Sequence, residues 1–279
     1  MRVGHLGPAG TYSEEAALRR PGAEPVPYPT LPDTIAAVAA GEVDLAALPV
    51  ENSLEGSVGV TLDTLVTRED VTITGELVLP ISVHLIARAA LDPATVEDVV
   101  SHPQPLAQCA GYLRRRLPQA RTVPASSTAA AVRQMMEAGP HWAALGPRRA
   151  AELYGAVIVE EDVADDRANA TRFVWIAPAA GAPPPQEDVP MRTSLAFWGQ
   201  GDREPGWLVR CLSEFAFRGV NLSKIESRPL RSTIGHYRFF VDCDDGLASP
   251  SVREAVAGLR THCTDVRVLG TYPRERSVD

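Results

Sequence analysis

Short apolar runs alternate with helical patterns through roughly the first 177 residues, and that rhythm admits few folds. Val3–Leu6, Leu45–Val50 and Ala143–Pro147 read as strands, as does the VEDVV run that ends at Val100. Between them, Tyr12–Arg20, Leu31–Ala40, Gln104–Arg116 and Thr128–Ala138 carry apolar residues at helical spacing, and Gly41, Pro118 and Gly139 act as stop signals. Strands separated by helices return to a sheet in parallel, so the spacing predicts an α/β domain with a largely parallel sheet. Val71–Ala87 is β-rich over a length suited to two strands, with Pro80 between them, and is expected to carry the chain between two lobes.

Stacked Pro and Gly in Pro178–Pro190 deny both helix and ladder, so residues 178–190 are expected to be a linker. It separates an expected larger domain, 1–177, from a smaller one, 191–279. The smaller part reads as strand Thr193–Trp198, helix Gly206–Arg218 with Leu208, Leu212 and Phe215 on one face, strands NLSKIESRPL and HYRFFVDC, helix Ser251–Arg260 and strand Asp265–Tyr272. That order, βαββαβ, is the ferredoxin-like plan.

Composition narrows the function. Lys plus Arg 27 against Asp plus Glu 35 gives a net charge of -8, with no long basic run, which argues against nucleic acid as a partner. The most apolar stretch, Leu77–Ala87, is about half the roughly 20 residues that a membrane span needs. No membrane partner is expected, and with no signal-like start the chain is expected in the cytoplasm. Cys109, Cys211, Cys243 and Cys263 lie far apart without a CxxC pair, so buried free thiols are expected rather than zinc or disulfides.

Four segments carry polar residues at strand ends and helix starts. In GPAGTYSEEAA, Thr11 with Glu14 fits a capping box, leaving a helix N-terminus that either favours an anion or is simply capped. ENSLEG places Glu51, Asn52 and Ser53 at the carboxyl end of a strand, where open α/β sheets bind ligands and where turns also form. SHPQPLAQC presents Ser101, His102, Gln104 and Gln108, the two glutamines on one helical face; adjacent Ser and His without a GxSxG elbow do not make a hydrolase. Ser126, Ser127 and Thr128 open another helix. ANATRFVWIA then delivers Asn169, Thr171 and Arg172 before Phe173, and Arg172 can fork onto a carboxylate. Amides, hydroxyls, helix starts and one Arg suit a small carboxylated ligand. Of the six histidines, His102 is expected nearest to it, while His84 and His141 are expected to be packed.

GPAGTYSEEAA, LPVENSLEGSV, SHPQPLAQC, SSTAAA and NATRF, in this order, resemble the bacterial prephenate dehydratases, and PGWLVRCL with NLSKIESRPL resembles their regulatory ACT domain. The resemblance covers essentially the whole chain and is to the monofunctional form. It implies two α/β lobes like those of periplasmic binding proteins, with the site in the cleft, and an enzyme turning prephenate into phenylpyruvate, carbon dioxide and water without cofactor or metal. It implies Thr171 as the essential residue and Asn52, Ser101 and Gln108 as substrate contacts, with Arg172, Phe173, Asn169, Thr11, Glu51 and Ser53 around them. It further implies phenylalanine, or a related amino acid, as effector at Gly206, Trp207, Leu208, Asn221, Leu222, Glu226, Ser227, Arg228 and Pro229, and a homodimer or homotetramer. Trp207 departs from the family's usual small residue; its bulk fills the pocket, reshapes it or points outward, so an altered phenylalanine response is expected. An arogenate dehydratase, a non-aromatising prephenate decarboxylase and a non-catalytic amino acid sensor are the alternatives.

Overall fold

The structure, a computed structural model, describes residues 1–180, 189–199, 201, 204–230 and 235–275; most of the expected linker, residues 181–188, lies outside the described residues. The chain runs β1 (Arg2–Leu6), α1 (Tyr12–Leu18), β2 (Glu24–Tyr28), α2 (Leu31–Ala39), β3 (Leu45–Asn52), β4 (Gly56–Ser57), α3 (Gly59–Leu65), β5 (Val71–Pro80), β6 (His84–Ala87), β7 (Asp98–Ser101), α4 (Pro103–Gln108) and α5 (Ala110–Arg116). It continues through β8 (Arg121–Pro124), α6 (Thr128–Glu137), β9 (Trp142–Gly146), α7 (Arg148–Tyr154), β10 (Val157–Glu160), β11 (Ala170–Pro178), β12 (Met191–Trp198), α8 (Trp207–Ala216), β13 (Leu222–Pro229), β14 (Tyr237–Cys243), α9 (Pro250–His262) and β15 (Asp265–Pro273). Two compact units result, one of Met1–Ala37, Val43–Val58 and Val78–Phe173, the other of Val38–Glu42, Gly59–Leu77 and Val174–Asp279.

The first unit holds two lobes, each built on its own sheet. In one, β1 lies between parallel neighbours β2 and β3, with β4 folded back on β3 and β11 beyond it. The other sheet has the order β10-β6-β9-β7-β8 and mixes parallel with antiparallel pairs. Its inner strands β6, β9 and β7 are buried along nearly their whole length because both faces are covered, whereas the outer strands β10 and β8 are partly exposed. Leu85, Val99 and Leu145 pack with Tyr112 and Leu113 of α5, while Ile86, Val100 and Ala144 pack under α6 and α7. Each such Leu, Ile or Val removed from water contributes about 1.5–3 kcal/mol.

Two expectations change here. The single helix expected over Gln104–Arg116 is split at Cys109, because the Asp165 carboxylate accepts the N–H groups of Gly111 (2.6 Å) and Tyr112 (2.9 Å) and caps a new helix start. His141, expected to be packed, is exposed, whereas His84 is buried and its Nδ1 accepts from the Asp162 N–H.

In the second unit, β12, α8, β13, β14, α9 and β15 follow the βαββαβ plan, with sheet order β13-β14-β12-β15 and antiparallel neighbours. Leu195, Phe197 and Val241 face α8 and α9. The buried face of α8 is Trp207, Cys211 and Phe215, a rotation away from the expected Leu208–Leu212 stripe, because the largest side chain takes the core. Trp207 is 3% exposed, its ring 6.0 Å from Phe197 and 5.8 Å from Phe239, and its Nε1–H donates to the His262 carbonyl at 2.7 Å.

Candidate active site

A cavity of about 500 Å³ opens in the first unit, with walls from both lobes. Thr171 and Phe173 reach it from β11, Asn52 from the end of β3, Thr11 from the start of α1, Gln108 from α4 and Thr128 from α6. Side chains alternate along a strand, so putting Thr171 and Phe173 on the cavity side turns Arg172 to the opposite face. There Arg172 meets Glu51 at 3.8 Å, and neither lines the cavity. The expected Arg172 contact with a ligand carboxylate is therefore not formed by this arrangement.

The orientation of Asn52 is set by backbone. Its Oδ1 accepts the N–H groups of Leu54 and Glu55, each at 3.0 Å, so its Nδ2 must face the other way. That amide nitrogen donates to Thr171 Oγ1 (2.9 Å), Asn169 Oδ1 (2.8 Å) and the Ala170 carbonyl (3.2 Å). Because Asn169 Oδ1 accepts, its Nδ2 faces Gln108 and donates to Oε1 at 3.3 Å. Gln108 Nε2 is consequently left as a buried donor with no partner among the described residues, on a residue that lines the cavity. Direction thus passes from two backbone N–H groups through three amides to one outward donor. Thr171 Oγ1 accepts from Asn52 and has no acceptor among the described residues, so its O–H is available to a ligand. Ser53 holds β11 in place, its N–H donating to the Ala170 carbonyl (2.9 Å) and its Oγ accepting from the Ala170 N–H (3.0 Å).

Positive polarity in this cavity comes from dipoles. Among the described residues no arginine or lysine lines it; Glu55 is the carboxylate there and His102 the imidazole. Ser127 caps α6 by accepting from the Ala130 N–H (3.0 Å), and the first-turn N–H groups of Thr128 and Ala129 are left over by helix geometry. His102 caps α4 through Nδ1, which accepts from the Gln104 N–H at 3.3 Å, so the neutral ring carries its proton on Nε2.

The turn before α1 depends on Gly10, at φ +84, where a Cβ would lie 3.3 Å from the Ala150 backbone. Its N–H donates to Glu14 Oε2 at 2.6 Å, so the expected capping box is half formed: Thr11 Oγ1 accepts from the Glu14 N–H (3.4 Å), but Glu14 turns to Gly10 and to Arg149 of α7 at 3.2 Å. This ion pair joins the two lobes and was not legible in the sequence, because Arg149 lies 135 residues away. Tyr12 also lines the cavity and donates to the Ser82 carbonyl (2.8 Å), and burial pushes its phenol up. Ser101 is not brought to the cavity. It is fully buried and donates to the Leu145 carbonyl at 2.7 Å.

In the second unit, Gly206 at φ +78 precedes α8, Leu208 packs partly on the core beside Trp207, and Asn221 Nδ2 donates to Asp244 at 2.7 Å just before Leu222 opens β13. Along β13, Glu226 and Arg228 face one way and Ser227 and Pro229 are exposed on the other; Arg228 forks onto Asp63 of α3 at 2.8 and 2.9 Å. That strand is an edge of its sheet.

A family model described as prephenate dehydratase matches residues 3–180. The prephenate dehydratase of Amycolatopsis methanolica is 38% identical over 282 residues, 99% of this chain and 90% of that one. The solved structure of prephenate dehydratase from Arthrobacter aurescens in complex with L-Phe is similar with a TM-score of 0.89 and 35% identity, over 98% of this chain and 90% of that one. A structure described as a novel type of quorum quenching acylase is similar at TM-score 0.88 and 29% identity, over 99% and 98% of the two chains. Sequence kinship over nearly the full length, together with the cavity where the motifs converge, supports one conclusion: this chain belongs to the prephenate dehydratase family.

Proposed function

We propose that this chain is a hydro-lyase that converts prephenate into phenylpyruvate, carbon dioxide and water in phenylalanine biosynthesis, with Thr171 at the reacting oxygen. The observation that carries this reading is the Thr171 hydroxyl, which accepts from Asn52 at 2.9 Å and keeps its own proton for the ligand. Losing both the ring carboxylate and the ring hydroxyl restores aromaticity, so no electron sink is required. The electron pair of the breaking carbon–carboxylate bond enters the ring as carbon dioxide leaves, and the pair of the breaking C–O bond departs with the oxygen. That oxygen leaves as water if it gains a proton. A threonine hydroxyl is a weak acid, so Thr171 donates a hydrogen bond that becomes proton transfer only as the C–O bond breaks. The Asn52 N–H polarises the hydroxyl in the right direction for this. The same bond disfavours Thr171 as an acyl-transfer nucleophile, which needs a base to take its proton.

Absence of arginine and lysine from the described cavity wall suits the second step, because a cation gripping the departing carboxylate would stabilise the ground state. The surviving pyruvyl carboxylate is assigned to the start of α6, at Ser127 and Thr128, and to the outward amide of Gln108. Residues 191–279 are read as an ACT domain that responds to phenylalanine, on its βαββαβ topology and the L-Phe complex of the Arthrobacter relative. Trp207 occupies core space there, which leaves the effector response governed by the backbone of the Gly206–Leu208 turn rather than by the indole. A second copy joining at the β13 edge accounts for a homodimer or homotetramer, and the reaction belongs in the cytoplasm with the pool it feeds.

Purified full-length protein incubated with prephenate tests the reading. Phenylpyruvate, followed by its absorbance in alkali, should appear in equal amount with carbon dioxide. Carbon dioxide without phenylpyruvate means a decarboxylase, turnover of arogenate alone means an arogenate dehydratase, and no turnover of either overturns the enzyme reading.

A further inference from the structure

Cys211 and Cys263 are brought together by the fold from positions 52 residues apart, with their sulfur atoms 3.7 Å from each other. Cys211 lies on the buried face of α8, one turn after Trp207, and Cys263 ends α9 in extended backbone. Cys211 is fully buried, but Cys263 is partly exposed and lines a second cavity, of about 560 Å³, beside Arg210 and His262. The hydrogen bond between the two thiols, in which either sulfur can donate, holds the Cys211 thiol below its ordinary range and raises that of Cys263. By contrast, burial pushes the isolated thiols of Cys109 and Cys243 up to about 12. One thiolate is therefore more accessible in the pair than at either remaining cysteine, and only this pair among the described residues has a partner sulfur within bonding approach.

We propose that Cys211 and Cys263 are a redox-active dithiol, converted to a reversible intrachain disulfide by hydrogen peroxide entering through the cavity at Cys263. Cys263, the sulfur that peroxide can reach, passes its proton to the Cys211 thiolate as it attacks one peroxide oxygen; the O–O bond breaks, and the other oxygen takes a proton from solvent and leaves as water, giving a sulfenic acid. Cys211 then attacks the Cys263 sulfur, the S–O bond breaks, and a second water leaves with the Cys211 proton. Two thiols lose two electrons and one peroxide gains them. A disulfide bond is about 2.05 Å long, so closure asks for a side-chain adjustment of less than 2 Å.

Full-length protein is treated with hydrogen peroxide, unfolded, alkylated and digested. The expected result is two of the four cysteines protected from alkylation, a linked peptide joining Cys211 to Cys263, and recovery of all four thiols with dithiothreitol. In Cys211→Ser, Cys263 should accumulate as a sulfenic acid trapped by dimedone. Four free thiols after treatment, a linkage between any other pair or between chains, or irreversible oxidation of Cys263 in the parent protein overturns the proposal.

Discussion

Replacing Thr171 by valine keeps the shape of the side chain and removes the one group assigned to the leaving oxygen. Thr171 is 9% exposed, and Asn52 Nδ2 retains two of its three acceptors, Asn169 Oδ1 at 2.8 Å and the Ala170 carbonyl at 3.2 Å. The amide therefore stays oriented, and the structural loss is one hydrogen bond, about 1 kcal/mol, or a melting shift of about 2–4 °C for a chain of this size. The catalytic loss is larger: general-acid assistance is worth roughly 10²–10⁴-fold, equivalent to about 3–5.5 kcal/mol of barrier. Thr171→Val should thus lose at least ~10²-fold in kcat with KM changed less than about 3-fold, since the interaction grows only as the C–O bond breaks. Thr171→Ser restores the hydroxyl and should recover to within about 10-fold of the parent. Initial rates of phenylpyruvate formation, measured beside the melting temperature of each variant, decide it. A folded valine variant turning over within about 5-fold of the parent would refute the role given to this hydroxyl.

Three further outcomes test the surrounding geometry. Asn169→Asp can still accept from Asn52, but it accepts from Gln108 as well, so Gln108 reverses and presents its oxygen to the cavity; KM should rise at least about 10-fold with a smaller change in kcat, and an unchanged KM would show that the amide series does not set that donor. Ser101→Ala removes the bond to Leu145 in a fully buried place, so it should cost about 1 kcal/mol in denaturant unfolding with KM within about 2-fold; a large KM effect with unchanged stability would restore it as a substrate contact. Burial pushes the Glu14 carboxyl up, but the hydrogen bonds from Arg149 and the Gly10 N–H outweigh it and hold the group below its ordinary range. A carboxyl lowered in the folded state contributes stability that is complete above its unfolded pKa of about 4.5 and disappears as pH falls through the folded value. Glu14→Gln should accordingly be less stable than the parent at pH 7, with the difference shrinking only as pH falls below the unfolded value and through the lower folded one, read as melting temperature against pH; parallel curves would mean that the pair contributes nothing.

Much of the architecture was readable because burial on two faces leaves a strong mark. The apolar runs that became β3, β6 and β9, the break at Pro80 and Pro178, and the βαββαβ order of the second unit were all visible in residue pattern. Short or polar strands left no such mark: β2, β8 and β10 are half-exposed, with prolines in two of them, and do not alternate cleanly. Within the site, the hydroxyls and amides were identifiable by type, but not all by destination. Ser101 and Arg172 stand in the same motifs as Gln108 and Thr171, yet each faces away from the cavity, and one residue of strand register separates Arg172 from the contact expected of it.

What the sequence by itself determined is which chemical groups this protein owns and on which local elements they sit, because strand and helix periodicity, caps and turn formers act over a few residues. Tertiary structure alone decided which of those groups meet. Asp165 splits a helix 53 residues earlier by offering its carboxylate to two N–H groups, which sets Gln108 beside Asn169; Glu14 finds Arg149 across 135 residues; and Trp207 turns inward because the C-terminal sheet needs its volume. Each of these depends on a partner distant in the chain, and a hydrogen bond or a packed ring has a direction that nearest neighbours do not specify.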